Sequence, residues 1–173
     1  MKRIVAFSVL LVLLLLASCD LFKPAGPETL SNEEHTIISA VLDSMMQSHA
    51  PETIDIFDQT STATNSISLN IAFERDSIGS QPLLVNYDTA NRKRYALDMD
   101  KLPNYVMLKD TEEAEPYSGY FSFTRPGISD DGLWAIVEYS FMSAPLAGCG
   151  MAAVLEKKFG EWVVVWDVMI WVS

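Results

Sequence analysis

Trp162-Val163-Val164-Val165-Trp166-Asp167-Val168-Met169-Ile170-Trp171-Val172 is apolar on both of its alternating faces and broken by a single charge, Asp167. Aromatic and β-branched side chains suit a pleated, packed surface. A strand apolar on both faces is expected in the middle of a covered sheet. Strict alternation would place Trp162, Val164 and Trp166 on one face and Val165, Met169 and Trp171 on the other. If a helix covered only one face, the second would be an exposed aromatic patch, the kind that marks an interface or ligand groove.

Working back from this run, Lys158-Phe159-Gly160-Glu161 is a tight turn, with Gly160 suited to positive φ. Met151–Lys157 and Trp134–Phe141 are two further strands. Asp130-Asp131-Gly132 is a turn signal, and Tyr120–Thr124 is a strand closed by Arg125-Pro126-Gly127. Short sequential strands with tight turns predict an antiparallel meander.

Further upstream the periodicity changes. Ser31-Asn32-Glu33-Glu34 fits a capping box, and Ile37, Ile38, Val41, Leu42, Met45 and Met46 follow at helical spacing. The helix is expected over Ser31–Ser48, ending before Pro51. Thr53–Phe57 reads as a strand entering the polar loop Asp58-Gln59-Thr60-Ser61-Thr62, and Asn104–Lys109 as another strand. Residues 66–75 lean towards helix. Residues 76–104 read as loop with short elements, broken at Pro82 and Pro103. The expected class is α+β: a C-terminal antiparallel β-meander with an N-terminal helix packed on one sheet face.

At the start of the chain, Lys2-Arg3 precedes the apolar run Ile4–Leu16, and Leu16-Ala17-Ser18-Cys19 follows. A charged segment, an apolar segment and small residues before a cleavage point form a secretory signal. The 13 residues of Ile4–Leu16 are too few to span a bilayer, which takes ~20. The L-A-S-C ending resembles the lipobox of bacterial lipoproteins. That resemblance implies cleavage before Cys19, which then carries a diacylglyceryl group and an acylated amine. Two or more chains hold stably where one does not. Asp20 after the lipidated residue also resembles an inner-membrane retention signal. The expected organisation is a signal peptide over 1–18, lipidated Cys19 and a tether over 19–30, and one α+β domain over 31–173. Asp20–Leu30 contains Pro24, Gly26 and Pro27, and such a segment reaches at most ~35 Å. The domain would sit outside the cytoplasm, on a bacterial cell membrane or outer membrane.

The whole chain carries 12 basic and 23 acidic residues, a net charge of −11. Without Lys2 and Arg3, 10 basic residues stand against 23 acidic ones, giving −13. This balance disfavours nucleic acid and anionic lipid head groups as direct partners. Of the two cysteines, lipidation of Cys19 would leave Cys149 as the one thiol, so no intrachain disulfide is expected.

Three blocks, E-E-H-T-I-I-S-A-V-L, I-D-I-F-D-Q-T-S and V-L-E-K-K-F-G-E-W-V-V-V-W-D-V-M-I-W-V-S, resemble a group of uncharacterised exported bacterial proteins. That group shares a similar helix, a D-Q-T-S loop and a final K-x-G-x-W strand in this order. It often has a C-G-x-L-C-G-x-G turn between the second and third C-terminal strands. Here Ser143 and Ala147 stand where those cysteines would be, and Cys149 lies two places later. A disulfide or thiol pair at this turn is therefore excluded.

Candidate chemistry is sparse. Cys149, between Gly148 and Gly150 on an expected loop, needs a base to act as a nucleophile. His35 at the exposed helix start and His49 at its end are not brought near it. Asp58, Gln59, Thr60 and Ser61 beside His49 contain the parts of a hydrolase triad, but no G-x-S-x-G elbow is present. Such residues commonly serve strand-end turns. Because the resembling group shares the loop, it is the place to look for a binding site. No H-x-x-x-H or Cys–His cluster points to metal, and no cofactor is expected. Asp98 and Asp100, and Asp130 and Asp131, read as turn residues. Asp110, Glu112, Glu113 and Glu115 read as a solvated acidic face. The leading expectation is a membrane-anchored, non-catalytic module binding an envelope protein or small ligand through its sheet face or D-Q-T-S loop. The alternative is a small envelope hydrolase using Ser61 or Cys149, and a third possibility is a purely structural role.

Overall fold

The computed structural model describes residues 27–49, 52–62, 81–112 and 119–173. The expected element at 66–75, the signal segment and Cys19 lie outside these residues. Among the described residues no helix is long and apolar enough to cross a membrane.

Helix α1 runs over Asn32–His49. The capping box forms: the Ser31 N–H donates to Glu34 Oε2 at 2.7 Å, and the Glu34 N–H donates to Ser31 Oγ at 3.2 Å. These bonds satisfy amides that the first helical turn leaves without intrahelical partners. Ile37, Ile38, Val41 and Leu42 are fully buried, with Met45 and Met46 packed partly against the same core. The residues just before the helix are also tied in. Leu30 is buried, its N–H donates to the Ala96 carbonyl at 3.1 Å, and the Ala96 N–H donates to the Glu28 carbonyl at 2.8 Å. The last part of the segment read as a tether is thus docked on the fold.

The strands are β1 (Ile54–Phe57), β2 (Val106–Lys109), β3 (Phe121–Phe123), β4 (Gly127–Ile128), β5 (Trp134–Ala144), β6 (Ala147–Lys158) and β7 (Glu161–Val172). They form one mixed sheet in the order β2-β1-β3-β5-β6-β7, with the short β4 also on β5. β1 pairs in parallel with β2 and β3, whereas β3, β5, β6 and β7 pair antiparallel. The class is α+β, with the C-terminal strands in a meander and α1 across one face.

Four expectations need correction. A second helix, α2 (Gln81–Ala90), occupies the stretch read as loop. Pro82 begins that helix instead of breaking it, because proline lacks only an N–H that the first turn would leave unpaired. Leu83, Leu84 and Tyr87 pack on the sheet face opposite α1, against Ile136, Ala152 and Val154. Gly127 permits this approach: a β-carbon there would stand 2.5 Å from Tyr87 Cα.

Second, β7 is an edge strand among the described residues, not a central one. Its two-sided apolarity arises because helices cover both faces: Trp162 and Val164 pack in the α1 core, and Trp166, Val168 and Ile170 in the α2 core. Its edge position leaves Val163, Val165, Met169, Trp171 and Val172 exposed.

Third, two register shifts reassign the faces. Val164 pairs with Leu155 and Trp166 with Val154, so Val165 is extra; Met169 pairs with Met151 and Trp171 with Gly150, so Ile170 is extra. Each bulge reverses the alternation beyond it. Trp166 therefore lies opposite Trp162 and Val164, and Trp171 opposite Met169.

Fourth, Gly148, Cys149 and Gly150 belong to β6, where Cys149 pairs with Phe141 and Val172. The expected loop there shrinks to Pro145-Leu146, because Ala144 and Ala147 already pair. The β6–β7 turn forms as expected, with positive φ at both Phe159 (54°) and Gly160 (91°), the geometry of a two-residue I′ hairpin.

Candidate functional site

Helix α1 packs closely over its first turns and leaves a cleft of about 420 Å³ beneath its C-terminal half. The walls are Ser44 and Met45 of α1, Ile54 of β1, Phe121 of β3, Tyr139 and Phe141 of β5, Cys149 and Met151 of β6, and Asp167 and Met169 of β7. Six elements thus contribute, and no basic side chain is among these described walls. Phe121 and Phe141 stand with ring centroids 5.0 Å apart across paired strands. The volume lies within the range of small-molecule sites, which are mostly apolar with a few placed polar groups.

The polar group is a carboxyl–phenol pair. Tyr139, buried, donates its Oη–H to Asp167 Oδ2 at 2.9 Å. The bulge at Val165 is what aims Asp167 here: an unbroken strand would have turned it to the α2 face. Asp167 stands on the open side of the cleft and remains solvent-exposed. Partial burial pushes its carboxyl above the usual range, while the Tyr139 hydroxyl and the Val168 N–H pull it back. Burial also pushes the Tyr139 phenol up, reinforced by the Asp167 charge and its hydrogen bond.

No family model, no curated protein and no solved structure matches the chain.

The D-Q-T-S loop is hydrogen-bonded into the fold. Asp58 Oδ1 accepts from the Thr111 N–H at 2.9 Å and the Thr111 hydroxyl at 2.6 Å. Gln59 bridges to Ala96. Thr60 is buried, its N–H donating to the Tyr95 carbonyl at 2.8 Å and its Oγ1 accepting from the Tyr95 N–H at 2.9 Å. The Ser61 N–H and hydroxyl both donate to the Phe123 carbonyl, at 2.8 and 3.4 Å. The four residues stitch the ends of β2 and β3 to the strand-like segment around Tyr95.

His35 is buried, not at an exposed helix start. Its Nδ1–H donates to the Ser31 carbonyl at 2.8 Å, and its Nε2 accepts from the Asp98 N–H at 2.8 Å. With both nitrogens committed to backbone, this imidazole serves neither Ser61 nor Cys149. The backbone of His49 ends α1, and its side chain lies outside the described residues.

Among the described residues no group of three or more metal-ligating side chains converges. Asp98 Oδ1 caps a 3-10 turn at Met99–Lys101 by accepting from the Asp100 N–H at 3.2 Å. Asp131 Oδ1 accepts from the Ser129 hydroxyl at 2.6 Å and the Leu133 N–H at 3.0 Å, and Asp130 Oδ1 accepts from Asn86 Nδ2 at 2.9 Å. Asp110 Oδ1 accepts from the Glu112 N–H at 2.7 Å; Glu113 and Glu115 lie outside the described residues.

A buried ion pair sits at the other end of α1. Glu34 is almost wholly buried and meets Arg125 Nε, while the Arg125 guanidinium stacks over the Tyr95 ring at 4.0 Å. Burial alone would push Glu34 up, but Arg125 and the Ser31 N–H and hydroxyl outweigh it and hold the carboxyl below its usual range.

Proposed function

We propose a lipid-anchored bacterial envelope protein whose folded domain is a non-catalytic binding module, with its ligand seated in the cleft between α1 and the sheet. The cleft carries this reading: an apolar volume of small-molecule size whose one charged wall residue, among those described, is a hydrogen-bonded carboxyl. The anchor rests on Leu16-Ala17-Ser18-Cys19 behind a short apolar run. The anchor would hold the domain at the envelope surface, and the acidic surface would keep the domain itself off anionic head groups.

Cells grown with labelled palmitate test the anchor. Label enters the wild-type chain and is absent from Cys19→Ser; equal labelling of that variant overturns the anchor. Occupancy is read at Cys149, a cleft wall residue. Peptide-resolved alkylation of Cys149 should be at least tenfold slower in the native envelope than in the purified full chain. Equal rates overturn the cleft as the working site.

A further inference from the structure

The walls of the cleft specify more than apolarity. A carboxyl stands at its open side, three aromatic rings (Phe121, Tyr139 and Phe141) lie within it, and among the described residues no basic side chain lines it. Asp167 has the Tyr139 hydroxyl as its side-chain donor, a neutral partner that leaves the negative charge uncompensated. A neutral ligand filling the cleft would strip water from this carboxylate without replacing the charge, and an anion would be repelled. A cation would gain from both features, since aromatic faces attract ammonium groups within about 6 Å of the ring centroid. The chain's net charge of −11 also raises the local concentration of cations.

We propose that the cleft takes an organic cation, an amine or ammonium group carrying an apolar body, with its charge at Asp167 and the aromatic rings and its body along Met45, Ile54, Met151 and Met169. This rests on the cleft-binding reading and names the ligand class for it. Asp167 is the specificity residue, and Tyr139 positions its carboxylate.

Three probes with one apolar body separate the terms: 4-phenylbutylamine, 4-phenylbutan-1-ol and 5-phenylpentanoate, titrated calorimetrically into the full chain at 0.15 M salt. Protection of Cys149 from alkylation locates the binding. The amine should bind at least tenfold tighter than the alcohol, with the pentanoate weakest. Asp167→Asn should reduce the amine's advantage to about twofold, weakening the amine and, because a neutral amide is cheaper to desolvate than a carboxylate, tightening the alcohol; the position is exposed on an edge strand, so the variant should fold. Alcohol and amine binding equally in the wild-type chain overturns the cation inference alone. So does an amine preference undiminished in Asp167→Asn, which would assign it to the general surface charge. No binding or Cys149 protection by any of the three overturns the cleft reading itself.

Discussion

Glu138 on β5 offers a direct test of how α2 packs on the sheet. It faces Tyr87 and Asp88 of α2, and its backbone makes three bonds with Thr124: the Glu138 N–H donates to Thr124 Oγ1 at 2.9 Å, and the Thr124 N–H and hydroxyl donate to the Glu138 carbonyl at 2.9 and 3.2 Å. Glu138 Oε1 and Tyr87 Oη are both buried without a hydrogen-bonding partner among the described residues, although the two groups are close enough to influence each other's titration. Burial pushes the Glu138 carboxyl from its ordinary 4.5 up to about 7; the nearby Tyr87 hydroxyl lowers it, and the Asp88 charge adds to the rise. The folded state therefore holds this proton more tightly than the unfolded chain. Below pH 4.5 the group imposes no penalty; as pH rises to 7 the penalty grows, and above 7 it is complete. At about 1.4 kcal/mol per pH unit the shift corresponds to roughly 3 kcal/mol. Because the side chain is only half-buried, about 2 kcal/mol is the working figure. Glu138→Gln keeps the shape and removes the titration. Urea unfolding of both proteins from pH 4.5 to 8.5, followed by tryptophan fluorescence, should show near-equal stability at pH 4.5 and the variant ahead by about 2 kcal/mol at pH 8. A stability difference independent of pH would refute the reasoning.

Two further changes probe the backbone. Gly127→Ala would press a β-carbon against Tyr87 Cα, 2.5 Å away; with backbone on both sides it should cost about 3 kcal/mol in urea unfolding. Phe159→Asn should raise stability by about 1 kcal/mol in the same assay, because Phe159 sits at φ 54° with its side chain fully exposed and asparagine tolerates that conformation better.

Local patterns were legible in the chain where a few neighbouring residues decide the outcome. Ser31 and Glu34 announce the capping box, Ile37 to Leu42 the buried face of α1, and Phe159-Gly160 the last hairpin. Elements decided by distant partners were less visible. α2 was hidden because Pro82 reads as a break; its packing partner is Gly127, 40 positions beyond Tyr87. The apolarity of β7 suggested a central strand, but an edge strand between two helices has the same composition. The bulges at Val165 and Ile170 leave no local mark, yet they decide which way Asp167 points. His35 looked exposed by its place in the first turn, whereas the segment at Asp98 folds over it. The cleft was not legible, since its walls come from six elements brought together by sheet order. Its one sequence signal was Asp167, the lone charge in an apolar run.

The cleft is tested most directly by carbon-13 methyl spectra of the full chain, labelled at methionine and isoleucine, during titration with 4-phenylbutylamine. The methyl signals of Met45, Ile54, Met151 and Met169 should shift together and saturate, while Ile37 and Ile38, buried under the first turns of α1, stay in place. Shifts centred instead on the D-Q-T-S loop, seen at neighbouring Ile56 with the cleft methyls unmoved, would contradict the account.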